Sequence, residues 1–528
     1  MRYIFPVCLM IACDIQKQHT EQLHESQFSC TPQQGAPYPN GIPYLGIHAD
    51  AGNSDIIHCR SADEWESSWF SLQDLGMTQP NTFSPDGSVL YATTSNRNIN
   101  GCRVHAVDAN SGDVLWCKNY HETVSRSAVE VDLEGNLYFT VEDKIVSLSP
   151  KGEERWVTTF PLYNGEEDSP WGVHFHPNGH VVTVTSSGTV FRLERDSGSI
   201  ASSFDIQEEW GFVSSAGLNV SADISALVPE SVLENIKFVW GDNVADSSSV
   251  GFTSLLGAAA FCDNTVGISP EGDIYVIGGG PDEDTGALTQ IRVNEEGQLV
   301  KGWYTPVTAG SATSPSISKN GRYVVIADGS SSTAYIDPTS VDARVKVMDI
   351  ESCNANTDSN PDASICGVSY QHRQDRMPMI GSPAITNDGT VYYWEFGLDL
   401  TADPEDRDIV AFNKEGVVWE SVLPNDLDWV SVMTVTDNHI IGTASHIQPS
   451  EHSLLGFRFP AYTEDELIAL DRETGGVAWR APLPDDGAAT VSIGPDGSLY
   501  VGVYGLLSTL STEEKPNMGL KKFSPVIP

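Results

Sequence analysis

Positive charge is what this sequence has least of. Lys and Arg together number 29 against 72 Asp and Glu in 528 residues, a formal net charge of −43. Only 19% of the residues are charged, so the imbalance reflects missing bases more than surplus acids. Nucleic-acid grooves and polybasic membrane patches both need clustered Lys and Arg, so neither is expected. Apolar runs are short as well. None reaches the roughly 18 residues that a membrane-spanning helix needs, and none is expected. Metal and haem spacings (C-x-x-C, C-x-x-C-H, H-E-x-x-H) are missing, as are a G-x-S-x-G elbow, a P-loop and a dinucleotide fingerprint. Catalytic residues therefore stay unassigned, and no residue is named as a metal or cofactor ligand. Core material is not lacking: 40% hydrophobic content with 12 Trp, 17 Tyr and 18 Phe excludes disorder for the bulk. Length alone suggests about three domains.

The first residues read MRYIFPVCLMIACD, with a positive Arg2, a short apolar stretch Ile4 to Ala12, and Cys13 after a small residue. This resembles a lipoprotein processing signal, which implies export and lipidation of Cys13. The reading divides the chain into a signal segment (1–13), a polar tether and N-terminal extension (14–60), and one folded body (61–528). A bacterial periplasmic or cell-surface location follows, with membrane contact only through the lipid. Export permits disulfides, and there are nine cysteines. Cys353 and Cys366 close a polar loop and form the best candidate pair. Cys102 and Cys117 flank a hairpin; pairing Val107 with Val114 sets Cys117 opposite Val104, diagonal to Cys102. Cys30 and Cys59 form a third candidate, which leaves Cys262 free.

Internal periodicity is the main signal. A tight turn leading into a strand recurs as SPDGSVLYATT, DLEGNLYFTV, HPNGHVVTVT, SPEGDIYVIGG, SKNGRYVVIAD, TNDGTVYYWEF and GPDGSLYVGVY, with a weaker VTDNHIIGTA. A second hairpin ending in an aromatic follows most copies, for example VHAVDANSGDVLW and LIALDRETGGVAW. Each unit thus gives four short strands in roughly 45 residues, the pattern of a β-propeller blade. Ala106, Asp108, Gly112 and Trp116, and again Ala469, Asp471, Gly475 and Trp479, fit A-x-D-x-x-x-G-x-x-x-W. Trp156, Trp303 and Trp419 keep the aromatic of that pattern, and Phe204 replaces it. The pattern resembles the PQQ-like, quinoprotein-type propeller repeat, and the matched residues are read as structural: Gly for a φ > 0 turn, Asp for turn amides, Trp for packing onto the next blade.

Eight units are counted. The expected fold is an all-β, eight-bladed propeller of four-stranded antiparallel blades, with seven or nine as alternatives. The last unit lacks a Trp-bearing strand, and ADEWESSWFSL near the start supplies a spare one with Trp65 and Trp69. The N-terminal segment is therefore expected to close the ring. A double-length gap around 205–262 contains VPESVLENIKF, a helical pattern, and reads as an insertion more than as a ninth blade.

Strand direction alternates, which places the long excursions 205–262, 328–344, 397–408, 445–465 and 504–519 on one face. The 353–366 loop projects from the other. The long loops carry Asp337, Asp342, Asp399, Asp403, Glu405, Asp406, Asp408, His446, Glu451, His452, Glu464 and Asp465, whose oxygens keep Ca²⁺ open without an EF-hand spacing. His174 and His176 alternate onto one strand face, where a hydrogen-bonded pair is favoured over a metal pair. The repeat's resemblance to quinoproteins implies PQQ with Ca²⁺, usually beneath an adjacent Cys-Cys pair that this sequence lacks, so no cofactor is expected and PQQ is disfavoured. A second resemblance is to propeller lipoproteins of outer-membrane assembly. The leading expectation is an exported, monomeric, non-catalytic binding or scaffold propeller that meets a protein, small-molecule or glycan ligand on its long-loop face. The alternative is a PQQ/Ca-dependent oxidoreductase or another propeller enzyme.

Overall fold

A computed structural model describes residues 37–526, except 40, 78, 95–101, 121–126, 215–228, 241–260, 263, 309–312, 329–341, 360–364, 375–381, 396–408, 425–426, 455–456 and 488. Each repeat forms one antiparallel sheet. In blade one the strands are Thr82–Phe83, Val89–Thr93, Cys102–Asp108 and Val114–Asn119, paired in that order. The turn chemistry explains the tight connections. Asp86 Oδ1 accepts from Ser84 Oγ and from the Ser88 amide, while Gly87 sits at φ +71°. Asp108 Oδ1 accepts the Asn110 and Ser111 amides, and Gly112 sits at φ +78°. Asp471 does the same with Thr474.

Eight such sheets are present. The eighth has the order Ser492–Ile493, Leu499–Val503, Gly519–Pro525, then Trp65–Ser71 from the N-terminal side. That last pairing runs antiparallel from Trp65 opposite Pro525 to Ser71 opposite Leu520, so both ends of the chain share one blade and the ring is closed. Between blades three and four the described residues contain helices Ile206–Trp210 and Glu230–Trp240 and no further four-stranded sheet.

Neighbouring blades are clasped at the rim by one repeated device. Trp156 of blade two lies against Gly198 of blade three and donates to Arg195 O at 2.9 Å, while Thr158 Oγ1 donates to Gly198 O at 2.6 Å. Trp419 and Ser421 make the same two bonds to Arg472 O (3.1 Å) and Gly475 O (2.8 Å). Trp116 packs on Gly152 and donates to Pro150 O. Trp69 and Ser71, in the N-terminal strand, clasp Gly112 of blade one. A bare glycine is needed under each indole: a Cβ on Gly198 would lie 2.4 Å from Trp156.

Two local expectations need correction. Cys117 stands opposite His105, not Val104, because a bulge between Ala106 and Val107 shifts the register by one. The Cys102–Cys117 disulfide still forms, as does Cys353–Cys366. The second is not held in a plain polar loop, since Cys353 lies in helix Ile350–Ser359, whose first turn is capped by Asp349 accepting from the Ser352 amide. This helical insert replaces the usual turn of blade five and keeps the clasp: Trp303 donates to Asn354 Oδ1 and Thr305 to Cys366 O, both at 3.0 Å. Cys59 is disulfide-bonded, whereas Cys262 is buried outside any disulfide, its Sγ donating to Asn264 O at 3.3 Å. Cys13 and Cys30 lie outside the described residues.

Candidate functional site

The axis of the ring is filled by the chain itself. Residues 37–59, expected as part of a polar tether and N-terminal extension, are almost wholly buried. Their backbone meets the innermost strands of four successive blades. Amides of Ile268, Ile317, Ile385 and Val435 donate to the carbonyls of Ala51, Gly52, Ser54 and Asp55 at 2.7, 2.7, 3.2 and 2.8 Å. Asn53 Nδ2 bridges Val266 O (2.8 Å) and Pro315 O (3.1 Å), and Ile57 N returns a bond to Val435 O. The run ADAGNSD folds this way because Asp50 gathers its own loop, accepting from Gly52 N, Ser54 N and Ser54 Oγ. Asn53 and Asp55 take up left-handed φ values of +53°, a conformation these side chains tolerate well.

Titratable groups around this plug are pushed toward neutrality. Burial raises the Asp55 carboxyl to about 6, opposed by the adjacent His48, whose Nδ1 is 3.1 Å away. Burial also drives Glu130 well above the carboxylate range and His174 down to about 3. Glu130 Oε1 and His174 Nδ1 lie 3.3 Å apart, so an uncharged acid faces an uncharged imidazole. Gly46 passes so close to Glu130 that a Cβ would fall 2.1 Å from its oxygen. His176 points elsewhere, to Gly272 O (2.9 Å) and Asn178 Oδ1, and does not form a pair with His174. Beside the plug, at the end of the channel edged by the tight turns, lies a cavity of about 400 Å³.

Three long excursions meet on the opposite face. Helix Glu230–Trp240 leaves between blades three and four and lands on the 504–518 loop of blade eight, halfway around the ring. Its Asn235 donates to the carbonyls of Ser508, Ser511 and Glu514 at 3.1, 3.3 and 2.8 Å, and Val239 packs with Tyr504 and Met518. The ribbon His439–Leu454 and Phe457–Asp471 joins them: Thr512 N and Glu513 N bond Pro460 O and Ala461 O. Under this lid Asp465 accepts from Ser445 and Thr463, Asp485 from Ser508 Oγ and Asn517 N, and Asp486 from the amides of Leu506 and Leu507. Burial raises all three carboxyls, repulsion from neighbouring carboxylates adds to it at Asp465 and Asp486, and Asp465 reaches about 7.

Of the long-loop residues expected to matter, Asp465 is thus buried in the lid. Glu451, His452 and Glu464 are exposed on the ribbon, His446 bonds Gln448, and Asp342 pairs with Arg344 at 2.7 Å. Asp337, Asp399, Asp403, Glu405, Asp406 and Asp408 lie outside the described residues. Among the described residues no group of three or more His, Cys, Asp or Glu side chains is placed to hold a metal. Sequence reasoning missed the plug, the lid contact of Asn235, and Asp485 and Asp486. The dense turn-former run around Asn53 was the available signal for the plug.

A family model described as outer membrane protein assembly factor BamB, built on the PQQ-type repeat, matches residues 64–204 and again 100–231. No curated protein matches the sequence. Among solved structures the chain is similar to quinohemoprotein alcohol dehydrogenase from Comamonas testosteroni, at TM-score 0.55 and 13% identity, covering 95% of this chain and 82% of that one. It is also similar to a europium-containing methanol dehydrogenase, at 0.54 and 11%, covering 92% and 98%. BamB from Moraxella catarrhalis overlaps at 0.45 and 13%, covering 83% and 94%. At these identities the likeness shows the fold alone.

Proposed function

We propose that this chain, a propeller of the PQQ-like repeat family, is an exported, lipid-anchored, non-catalytic scaffold that presents its long-loop face to a protein partner. The observation that carries this reading is the filled axis: the centre of the ring, where a channel would hold a small reactant, is occupied by residues 37–57 bonded to successive inner strands. The match of the first three blades to the assembly-factor model supports a role in bringing proteins together. Two disulfides favour an oxidising compartment. Among the described residues no helix is long and apolar enough to cross a membrane; the lipoprotein-like signal ending at Cys13 is what supports a lipid anchor.

PQQ, which the repeat's relatives imply, is a planar tricarboxylate. The cavity beside the plug offers one cation, Lys319, whose charge faces Asp50 at 3.7 Å, and no adjacent cysteines exist in the sequence. The residues present do not fit that cofactor.

Photo-crosslinking residues placed at exposed Tyr462 and Glu464 on the ribbon, against Asn110 and Glu473 on tight turns of the other face, test the partner assignment. Discrete protein adducts are expected from the first pair alone. Equal adducts from both pairs, or PQQ- and Ca²⁺-dependent dye reduction by the purified chain, would overturn it. A Cys13→Ser variant is expected to leave the membrane fraction; unchanged fractionation contradicts the anchor.

A further inference from the structure

The cavity on the tight-turn face has a composition that none of this explains. Its walls are mainly apolar, formed by Tyr38, Phe175, Pro177, Pro270, Ile268 and Ile317, with Asp50, Ser269 and Ser318 adding polar edges, and its volume suits a small organic molecule. Among the lining residues the one cation is Lys319. The first turns of blades one, three, four and eight carry Pro85, Pro177, Pro270 and Pro495; blade five has Lys319 at that position.

Lys319 lines the cavity and reaches toward Asp50 of the plug. Its Nζ is shielded from solvent, has no hydrogen-bond acceptor, and lies 3.7 Å from Asp50 Oδ2, beyond hydrogen-bond length. Asp50 is already engaged by Gly52 N, Ser54 N and Ser54 Oγ. A buried ammonium with three N–H donors and no acceptor is costly, and such groups in folded proteins normally find a partner. Burial accordingly holds this amine down to about 8, against the pull of Asp50 and Asp437. To meet an acceptor in the cavity the ammonium would have to rotate on its four-carbon stem, away from Asp50.

The missing partner is an acceptor, not a charge. Asp50 and Asp437 already balance the lysine, and a chain of net charge −43 repels free anions. A carboxylate ligand would add a second negative charge beside Asp50 in an apolar pocket. A carbonyl oxygen supplies lone pairs without that penalty, and the aromatic and proline walls suit a ring-sized apolar body.

We propose that this cavity is a binding site for a small, uncharged carbonyl compound with an apolar body, its oxygen accepting from Lys319. The site lies on the face opposite the lid, and its occupancy is independent of the scaffold role.

The test uses the full chain with acetophenone as probe and benzoate as its anionic counterpart, followed by NMR of the lysine side-chain resonances. The Lys319 signal is identified by its loss in Lys319→Met. Acetophenone is expected to raise the Lys319 pKa from about 8. It is expected to bind roughly tenfold tighter to wild type than to Lys319→Met, the range for a hydrogen bond to a charged donor. Benzoate is expected to bind wild type at least about tenfold more weakly than acetophenone, and Asp50→Asn to shift the preference toward benzoate. Equal binding by wild type and Lys319→Met, tighter benzoate binding by wild type, or a Lys319 resonance that ignores saturating acetophenone would each overturn the proposal. The wild-type titration decides the matter even where a variant fails to fold.

Discussion

The rim and the axis of this ring are held by opposite strategies. At the rim the clasps are local and recurrent: in the fullest, at Trp156 and Trp419, an indole lies over a glycine, its N–H bonds a turn carbonyl, and a hydroxyl two residues on bonds the glycine carbonyl. At the axis a single unrepeated segment reaches four blades in succession through its backbone, with Asn53 tying two of them together. Loss of one rim clasp should loosen one seam. Loss of the plug should loosen many blades at once while each stays folded. A ring built from both gains closure by the shared eighth blade and coordination by the plug.

The largest single effect is expected where the rim is most buried. Trp303 is fully buried between blades four and five and bonds Asn354 of the disulfide-braced insert. Trp303→Ala should cost about 3–5 kcal/mol in urea unfolding, with exchange rising chiefly at that seam. A smaller loss spread evenly over the ring would break the distinction drawn above. Next comes the axis. Asn53→Ala strands the carbonyls of Val266 and Pro315 and puts Ala at a left-handed φ, at a cost of about 2–4 kcal/mol. Its exchange signature should appear in blades four and five together, far from any tryptophan clasp.

Carboxylates sharpen the contrast through pH. In the rim turns, backbone and side-chain bonds from Ser111 and Asn110 hold Asp108 below the usual range, and Thr474 does so for Asp471. Their contribution is present above the unfolded pKa and is lost as pH falls through the folded value. In the lid, Asp465 is raised to about 7, chiefly by burial. Its neutral form is favoured by folding, so stability declines as pH rises from about 4, the unfolded value, to about 7, and is flat above. Asp465→Asn should make that decline shallower in thermal melts from pH 4 to 8, not abolish it, since Asp55, Glu130, Asp485 and Asp486 are raised too, and leave the acid limb untouched. An unaltered decline would assign it elsewhere.

The rim was legible in the sequence because its devices repeat. Asp-x-x-x-Gly-x-x-x-Trp occurs in full twice, and its turn glycine and closing aromatic recur in most other blades, which separates signal from accident even where Phe204 replaces the indole. The hydroxyl two residues after the aromatic recurs at Ser71, Thr158, Thr305 and Ser421 and was overlooked. The closing strand could be read because Trp65 and Trp69 supplied what the last unit lacked. The plug could not, since a segment used once has no period and Asp50, Asn53 and Asp55 read as an exposed turn; the blades around them bury it. The lid depended on Asn235 meeting carbonyls some 270 residues away, as the separations of 273 to 279 show, and no local pattern encodes that. For the same reason the bulge at Ala106 defeated a register counted from the hairpin turn.

The filled axis is the claim on which the scaffold reading stands, and hydrogen exchange tests it directly. The amides of Ile268, Ile317, Ile385 and Val435 are bonded to the plug and should exchange slowly in the full chain. In a chain lacking residues 1–60, which keeps the closing strand Trp65–Ser71, these four should exchange fast while the amides of the blade sheets stay protected. Fast exchange of the four in the full chain, or unchanged protection after the deletion, would contradict a plugged channel.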